Sequence, residues 1–126
     1  MQDKYLFEYA VLRVVPRVER EEFMNIGVIL YCAKTRFIQS IFVIDEQRLL
    51  ALCPALDIEE IRAHARAFKR ICGGKDGGPI GELDMPSRFR WLTATRSTVF
   101  QSSKVHPGFC TEPEAMLQTL TEQLVL

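Results

Sequence analysis

The chain has 126 residues, of which 48% are apolar and 25% are charged, and its 16 basic residues balance 16 acidic ones. This length and composition predict a single domain over residues 1–126 with one hydrophobic core, and they exclude a fibrous or largely disordered chain. Because the formal net charge is zero, the sequence also excludes a chain-wide field that would draw the protein onto nucleic acid or an anionic membrane.

The first half of the chain predicts three consecutive strands. Residues 5–15 (YLFEYAVLRVV) are rich in aromatic and β-branched types, and the run stops at Pro16. Apolar runs follow at residues 25–33 and 36–44, and the short connections favour an antiparallel meander. Since apolar residues occupy both parities of these strands, we expect both faces of the sheet to be covered.

The second half supplies helices that can cover the sheet. Asp57 and Glu60 form a capping box at the start of a helix predicted over residues 57–72, whose apolar positions recur at helical spacing. Residues 46–53 and 87–96 predict shorter helical segments, the second of them capped by Ser87. Between these helices, residues 73–81 hold five of the seven glycines and predict a flexible loop without packed structure.

A strand and a helix complete the predicted fold. Residues 98–105 alternate like a fourth strand, and residues 106–108 predict a turn. Residues 112–124 predict a last helix, with Thr111 and Glu114 as its capping box. The predicted fold class is therefore α+β, an antiparallel sheet of about four strands packed by two to three helices.

The four cysteines are widely spaced, form no C-x-x-C pair and lie in or beside apolar stretches. This pattern predicts buried, reduced thiols and neither a disulfide framework nor a zinc site. No apolar run reaches the roughly 18 residues that a bilayer span needs, and residues 1–10 show no leader pattern. We therefore expect a cytoplasmic protein with no metal, no other cofactor and no membrane contact.

The second predicted strand begins with Asn25 and Gly27, which are unusual in an otherwise apolar stretch. One interpretation is structural: Asn25 satisfies backbone groups of the preceding loop, and Gly27 lies at a bulge or beneath an aromatic ring. The other interpretation is functional. If the first two strands pair around this loop, Arg13, Glu22 and Asn25 gather at one end of the sheet, where they could bind a carboxylate, a phosphate or an amide.

The same stretch contains a motif that extends beyond the strand itself. The pattern E-F-x-N-x-G-V at residues 22–28 follows Tyr9, Arg13 and Pro16 and precedes Arg88, Phe89, Leu92 and a serine-bearing strand near Ser102. This arrangement resembles the bacterial family called domain of unknown function 3037, over nearly the whole chain. The resemblance implies no established activity. Genes of that family often lie beside a gene for a kinase-like protein resembling HipA toxins, which implies a protein partner and a toxin–antitoxin-like pair.

Basic residues concentrate in one part of the chain although the total charge is zero. Nine of them lie between residues 59 and 104, against five acidic residues. Four share one side of the predicted helix 57–72 and indicate either a solvated face or a surface for phosphate groups or an acidic partner: Arg62, Arg66, Lys69 and Arg70. The segment R-F-R-W at residues 88–91 would suit stacking on single-stranded nucleic acid, but a short helix would point Phe89 and Trp91 to different sides.

The sequence offers little for catalysis. His64 is expected to be a half-buried histidine of the middle helix. His106 with Ser102 or Ser103 could be imagined for acyl transfer, yet no G-x-S-x-G motif exposes a serine. The glycine-rich loop lacks the G-x-x-x-x-G-K-[ST] pattern of phosphate-binding loops.

The function predicted first is a non-catalytic accessory or regulatory module that binds a protein partner through Arg62, Arg66, Lys69 and Arg70. The kinase-like protein that the resemblance implies is the first candidate partner. One alternative is a small enzyme or a nucleotide- or phosphate-binding protein, with a site formed by Arg13, Glu22, Asn25, Gly27 and Arg88. A second alternative is single-stranded nucleic-acid binding through Arg88, Arg90 and Trp91.

Overall fold

An antiparallel sheet of five strands organises the structure, a computed structural model that describes residues 4–74, 77–94, 96 and 98–126. Its strands are β1 (Tyr5–Val14), β2 (Met24–Cys32), β3 (Phe37–Phe42), β4 (Phe100–Ser102) and β5 (His106–Cys110). A short 3-10 helix at Val18–Arg20 lies in the connection between β1 and β2. The helices are α1 (Glu46–Leu52), α2 (Ile58–Gly73), the single turn α3 (Gly78–Gly81), α4 (Met85–Leu92) and α5 (Pro113–Leu124). The predicted α+β class is confirmed.

β1 is the central strand and pairs along both of its sides. The order on one side is β3-β2-β1, as the predicted meander requires. On the other side β5 pairs with residues 5–9 of β1, and β4 pairs with residues 12–14. Ser103 fills the step between the two short strands, because its backbone N–H donates to the Val11 carbonyl and its Oγ accepts from the Val11 N–H, both at 2.8 Å.

The fifth strand, β5, is the element that the sequence prediction missed. Residues 106–108 were expected to form a turn, but they extend the sheet. Pro107 lies opposite Glu8 at a position whose backbone nitrogen points away from β1, so the missing N–H costs no ladder hydrogen bond. Gly108 lies against the ring of Phe7, where an added Cβ would come within 2.6 Å of the ring. Both residues that suggested a turn therefore fit an edge strand.

Both faces of the sheet are buried, as predicted. On one face, Phe68 and Cys72 of α2 and Phe89 and Leu92 of α4 pack against Ala10, Leu12, Ile29, Tyr31 and Ile38. The opposite face is covered by α5, which buries Leu117 and Leu120 against Val28, Leu30 and Cys32. None of the helices in the described ranges is long and apolar enough to cross a membrane.

The helix starts follow the prediction at α2 but not at α4 or α5. Asp57 caps α2, and its carboxylate accepts from the Glu60 N–H at 3.1 Å. The expected Ser87 cap of α4 is wrong: Asp84 is the capping residue, and hydrogen bonds from Ser87 lower the pKa of its carboxyl. The expected capping box of Thr111 and Glu114 is also wrong, because α5 starts after Glu112 without a side-chain cap.

The glycine-rich segment is more structured than expected, since residues 78–81 form the turn α3. Lys75 and Asp76 of that predicted loop, and Thr95 of the predicted segment 87–96, lie outside the described residues. All four cysteines are free. Three are buried as expected, whereas Cys53 is half-buried.

Candidate functional site

The start of β2 has both features that the structural interpretation predicted. Leu12 pairs with Gly27 and Arg13 pairs with Asn25, so Ile26 is an extra residue and forms a β-bulge. A Cβ on Gly27 would lie 2.6 Å from the Ile41 carbonyl oxygen and 2.8 Å from the Phe42 ring. The glycine is therefore required by the close approach of β3, and no ligand is needed to explain it.

Asn25 fastens the rim of the sheet, although to a different partner than expected. Its Nδ2 donates to the carbonyl oxygen of Leu124 at 3.0 Å, which is one of the C-terminal carbonyls that α5 itself leaves unpaired. Its Oδ1 is buried and has no hydrogen-bond partner among the described residues. The same holds for Nε of Arg13, whose guanidinium lies over the Phe23 ring, 4.1 Å from its centroid.

The structure does not bring Arg13, Glu22, Asn25 and Arg88 into one cavity. Arg13 and Asn25 are neighbours across β1 and β2. Glu22 instead forms an exposed ion pair with Arg20 and lines a separate concavity with Arg17 and Pro54. Arg88, on α4, donates to the Leu83 carbonyl at 2.7 Å and lines a third cavity with Asp84.

The basic surface of α2, formed by Arg62, Arg66, Lys69 and Arg70, is solvent-facing as predicted. Arg62 is its partly paired member, with Glu59 at 3.1 Å and Glu46 of α1 at 3.4 Å. Within the described residues, no acidic side chain lies within ion-pair distance of Arg66, Lys69 or Arg70. Three cations on this helix therefore have no intramolecular countercharge in that part of the chain.

The basic surface lies beside the outermost strand of the sheet. α2 packs mainly over β3, with the Phe68 and Phe42 rings in edge contact at 5.4 Å. Ala67 and Ile71, on one flank of the helix, line a cavity with Trp91 and Leu92 of α4. Since successive helical residues are rotated by about 100°, Arg62, Arg66 and Lys69 lie on the opposite flank, toward the β3 edge.

β3 has a free backbone edge, because it pairs with β2 and with no other described strand. The Val43 N–H donates to the Ile26 carbonyl at 2.7 Å, which extends the β2–β3 ladder by one pair. Hydrogen-bonded pairs alternate along an antiparallel ladder, so Ile41 and Gln39 point their backbone groups at β2. Ile38, Ser40 and Phe42 therefore direct theirs outward. β3 contains no charged residue and no proline that would block the addition of a strand.

A cavity of about 670 Å³ lies between the first half of α2 and the segment before β4. Its lining includes Cys53, Glu60 and His64. His64 is exposed and not half-buried as expected, and its imidazole stacks on the Phe100 ring at 5.6 Å. No sequence pattern indicated Cys53 as a cavity residue, because a thiol next to Pro54 in an apolar stretch is typical of a core residue.

The serines and His106 are occupied by structural contacts. Ser103 Oγ accepts from the Val11 N–H, and Ser102 Oγ donates to the Ser103 carbonyl at 3.0 Å. His106 pairs with Tyr9 in the sheet, with ring centroids 5.3 Å apart. Over the described ranges there is no cluster of His, Cys, Asp or Glu that could hold a metal ion.

The segment 88–91 is helical, and its two aromatic side chains point to different sides, as expected of a helix. Phe89 is buried, while Trp91 is 40% exposed. The Arg96 guanidinium lies 4.5 Å from the Trp91 ring centroid and donates to the Trp91 carbonyl at 2.7 Å. One face of the exposed ring is thus already covered by a cation.

A family model described as "Protein of unknown function (DUF3037)" matches residues 9–125, nearly the whole chain. The protein belongs to the DUF3037 family. No curated protein and no solved structure gives a significant match to the chain. The resemblance recognised in the motif at residues 22–28 is thereby confirmed.

The DUF3037 match includes every structural feature described for the start of β2. Arg13, Asn25 and Gly27 fall within it, and so does Leu124, the hydrogen-bond partner of Asn25. It also includes β3 and the whole of α2. Both the fastened rim of the sheet and the basic surface of α2 therefore lie in the family domain.

Proposed function

We propose that the protein is a non-catalytic accessory module that binds an acidic, extended segment of a protein partner. The segment would add as a strand to the free edge of β3, beside the basic surface of α2. The observation that carries the proposal is the juxtaposition of outward backbone groups at Ile38, Ser40 and Phe42 with the cations of the adjacent flank of α2.

An edge strand of this kind binds extended peptides by main-chain hydrogen bonds. Three residues with outward backbone groups offer three donors and three acceptors to an added strand. The outward groups alternate with Gln39 and Ile41, whose backbone groups already pair with β2. Main-chain bonds supply affinity without sequence preference, so discrimination between partners must come from neighbouring side chains.

The neighbouring side chains favour an acidic partner. Arg66, Lys69 and Arg70 lie unpaired along α2 within the described ranges, and Lys34 and Arg36 are exposed in the turn that leads into β3. Complementary charge of this kind mainly accelerates association and rejects basic competitors. It also makes binding sensitive to salt, since exposed ion pairs are screened over about 10 Å at 0.1 M ionic strength.

The first candidate partner is the HipA-like kinase that family resemblance implies, with modulation of that kinase as the mechanism. A cytoplasmic location fits the four free thiols. Ser102, Ser103 and His106, which could be imagined for acyl transfer, make structural contacts instead.

Co-purification with the kinase tests this proposal. We expect the wild-type protein to retain the kinase, and the triple variant Arg66→Glu, Lys69→Glu and Arg70→Glu to lose it. Arg62 is left unchanged because it holds α1 through Glu46. The matched control is Lys4→Glu, Arg90→Glu and Lys104→Glu, which makes the same charge change at exposed positions elsewhere.

Retention by the control and loss by the triple variant support the proposal. If both variants retain the kinase equally, the basic surface is not part of the interface. A wild-type protein that stays unpartnered at micromolar concentration beside the kinase would reject the kinase as the partner, and the same variants would then be compared in pull-downs from the native host.

A further inference from the structure

A second polar cluster crosses the sheet at the level of Arg13. Arg13 pairs with Asn25 of β2 on one side and with Gln101 of β4 on the other. Residues directly opposite in an antiparallel sheet point to the same face, so the three polar side chains form one row across three strands. Rows of this kind inside apolar strands need a reason, because each polar group loses hydration there.

The two outer residues of this row, Asn25 and Gln101, are each held by a hydrogen bond to a backbone carbonyl. Asn25 bonds to the end of α5, and Gln101 donates through Nε2 to the Thr98 carbonyl at 2.7 Å. The Arg13 guanidinium lies over the Phe23 ring, and the Arg96 guanidinium lies over the Trp91 ring. Stacking on a ring leaves the edge of a guanidinium, which carries its N–H donors, directed to the side.

Arg13 and Arg96 line the same cavity, which has a volume of about 380 Å³ and also includes Gln101, Glu21 and Phe23. Neither arginine has a carboxylate within ion-pair distance in the described ranges. Nε of Arg13 is buried without an acceptor, and burial lowers the pKa of this guanidinium. The fold thus keeps two cations at one concavity, and the one carboxylate that lines it, that of Glu21, is not within ion-pair distance of either among the described residues.

We propose that this cavity is a binding site for the phosphate group of a small phosphate ester. Two guanidinium groups provide charge-assisted hydrogen bonds to the phosphate oxygens, a geometry that arginine offers and lysine does not. The carboxylate of Glu21, which also lines the cavity, would repel a polyphosphate and accept a hydrogen bond from a hydroxyl group of the ester. The site differs from the phosphate site considered from sequence, because Arg96 and Gln101 take the places of Glu22 and Arg88.

The site is independent of the proposed partner surface. It lies beside β4, whereas β3 is at the opposite edge of the sheet. The triple substitution on α2 therefore leaves it intact, and failure of either proposal does not decide the other.

Calorimetric titration with glycerol phosphate at low ionic strength tests the site. We expect binding that Arg96→Gln weakens roughly tenfold or more, the loss of about one charge-assisted interaction. Arg90→Gln, at an exposed arginine outside the cavity, should bind as the wild type does. Inorganic phosphate and tripolyphosphate should both bind more weakly than the ester. Arg13→Gln serves as a second variant, with its fold checked by circular dichroism.

Loss of affinity in Arg96→Gln and in folded Arg13→Gln, with affinity kept in Arg90→Gln, supports the proposal. Absence of binding by the wild type at millimolar glycerol phosphate would overturn it. Equal affinity of wild type and Arg96→Gln, or a parallel loss in Arg90→Gln, would also overturn it, because either result would show that the ester does not bind in this cavity.

Discussion

Nδ2 of Asn25 donates a hydrogen bond to the carbonyl oxygen of Leu124 at 3.0 Å. This bond joins the start of β2 to the last residue of α5, 99 positions away in the sequence. The hydrogen bond fastens the C-terminal end of α5 to the face of the sheet that this helix covers. It also satisfies a carbonyl that has no partner within the helix. The polar start of an apolar strand is therefore explained by tertiary structure. The β-bulge at Ile26 places Asn25 on the correct face for this contact.

Replacing Asn25 should destabilise the protein without changing its fold. Asn25→Ala removes one buried hydrogen bond and leaves the Leu124 carbonyl unpaired, which costs about 1–2 kcal/mol of the free energy of unfolding. Urea denaturation followed by circular dichroism measures this loss. Gln118→Ala, at an exposed position of α5, is the control and should change stability by less than about 0.5 kcal/mol. Equal stability of Asn25→Ala and the wild type would contradict the fastening role.

A Cβ at Gly27 should be far more costly than one at Gly73. In Gly27→Ala the new carbon would meet the Ile41 backbone oxygen at 2.6 Å, so β3 must move, at about 1–3 kcal/mol. At Gly73, the last residue of α2, no heavy atom lies within 4 Å of the added carbon. Gly73→Ala should therefore be neutral or slightly stabilising. Chemical denaturation of both variants checks the difference, and similar stabilities would show that β3 does not approach Gly27 as closely as described.

The thiols should differ sharply in reactivity. At pH 8 a maleimide should label the half-buried Cys53 first and leave Cys72 unmodified in the folded protein. Burial raises the pKa of Cys72 to about 11, so roughly one molecule in a thousand carries its thiolate at that pH. Mass spectrometry of the labelled protein identifies the site. Cys53→Ser should abolish the fast labelling, and rapid modification of Cys72 would contradict its burial.

The same shift predicts how stability depends on pH. The folded state holds the Cys72 proton more tightly than the unfolded chain, whose thiol has the ordinary pKa of 9.0. Stability is therefore unaffected below about pH 9 and falls as the pH rises from 9 toward 11, by up to about 3 kcal/mol. Denaturation of the wild type and Cys72→Ala at pH 8 and pH 10 isolates this contribution. The wild type should lose more stability than the variant over that interval.

Local sequence pattern was sufficient to predict the three long strands, the helix α2 and the α+β class. The periodicity of their apolar residues indicates these elements, and Asp57 marks the start of α2. β5 could not be predicted in the same way, because Pro107 and Gly108 are turn residues by local preference. Their place in the sheet depends on a neighbour, β1, that is about 100 positions away.

The candidate sites show the same limit. Helical spacing correctly placed Arg66, Lys69 and Arg70 on one exposed surface. By contrast, the grouping of Arg13 with Arg96 and Gln101 depends on β4 joining the far side of β1, which no sequence spacing reveals. Glu22 was expected near Arg13 because both flank the same loop, but the 3-10 helix at residues 18–20 turns it toward Arg20 instead.

Hydrogen–deuterium exchange of the protein with and without its partner tests the central proposal most directly. We expect the partner to slow exchange at the outward amides of Ile38, Ser40 and Phe42, while Gln39 and Ile41, already paired with β2, change little. Protection should disappear in the triple variant of Arg66, Lys69 and Arg70. Protection confined to α4 or to the cavity between α2 and the segment before β4, with the β3 amides unchanged, would contradict the proposal.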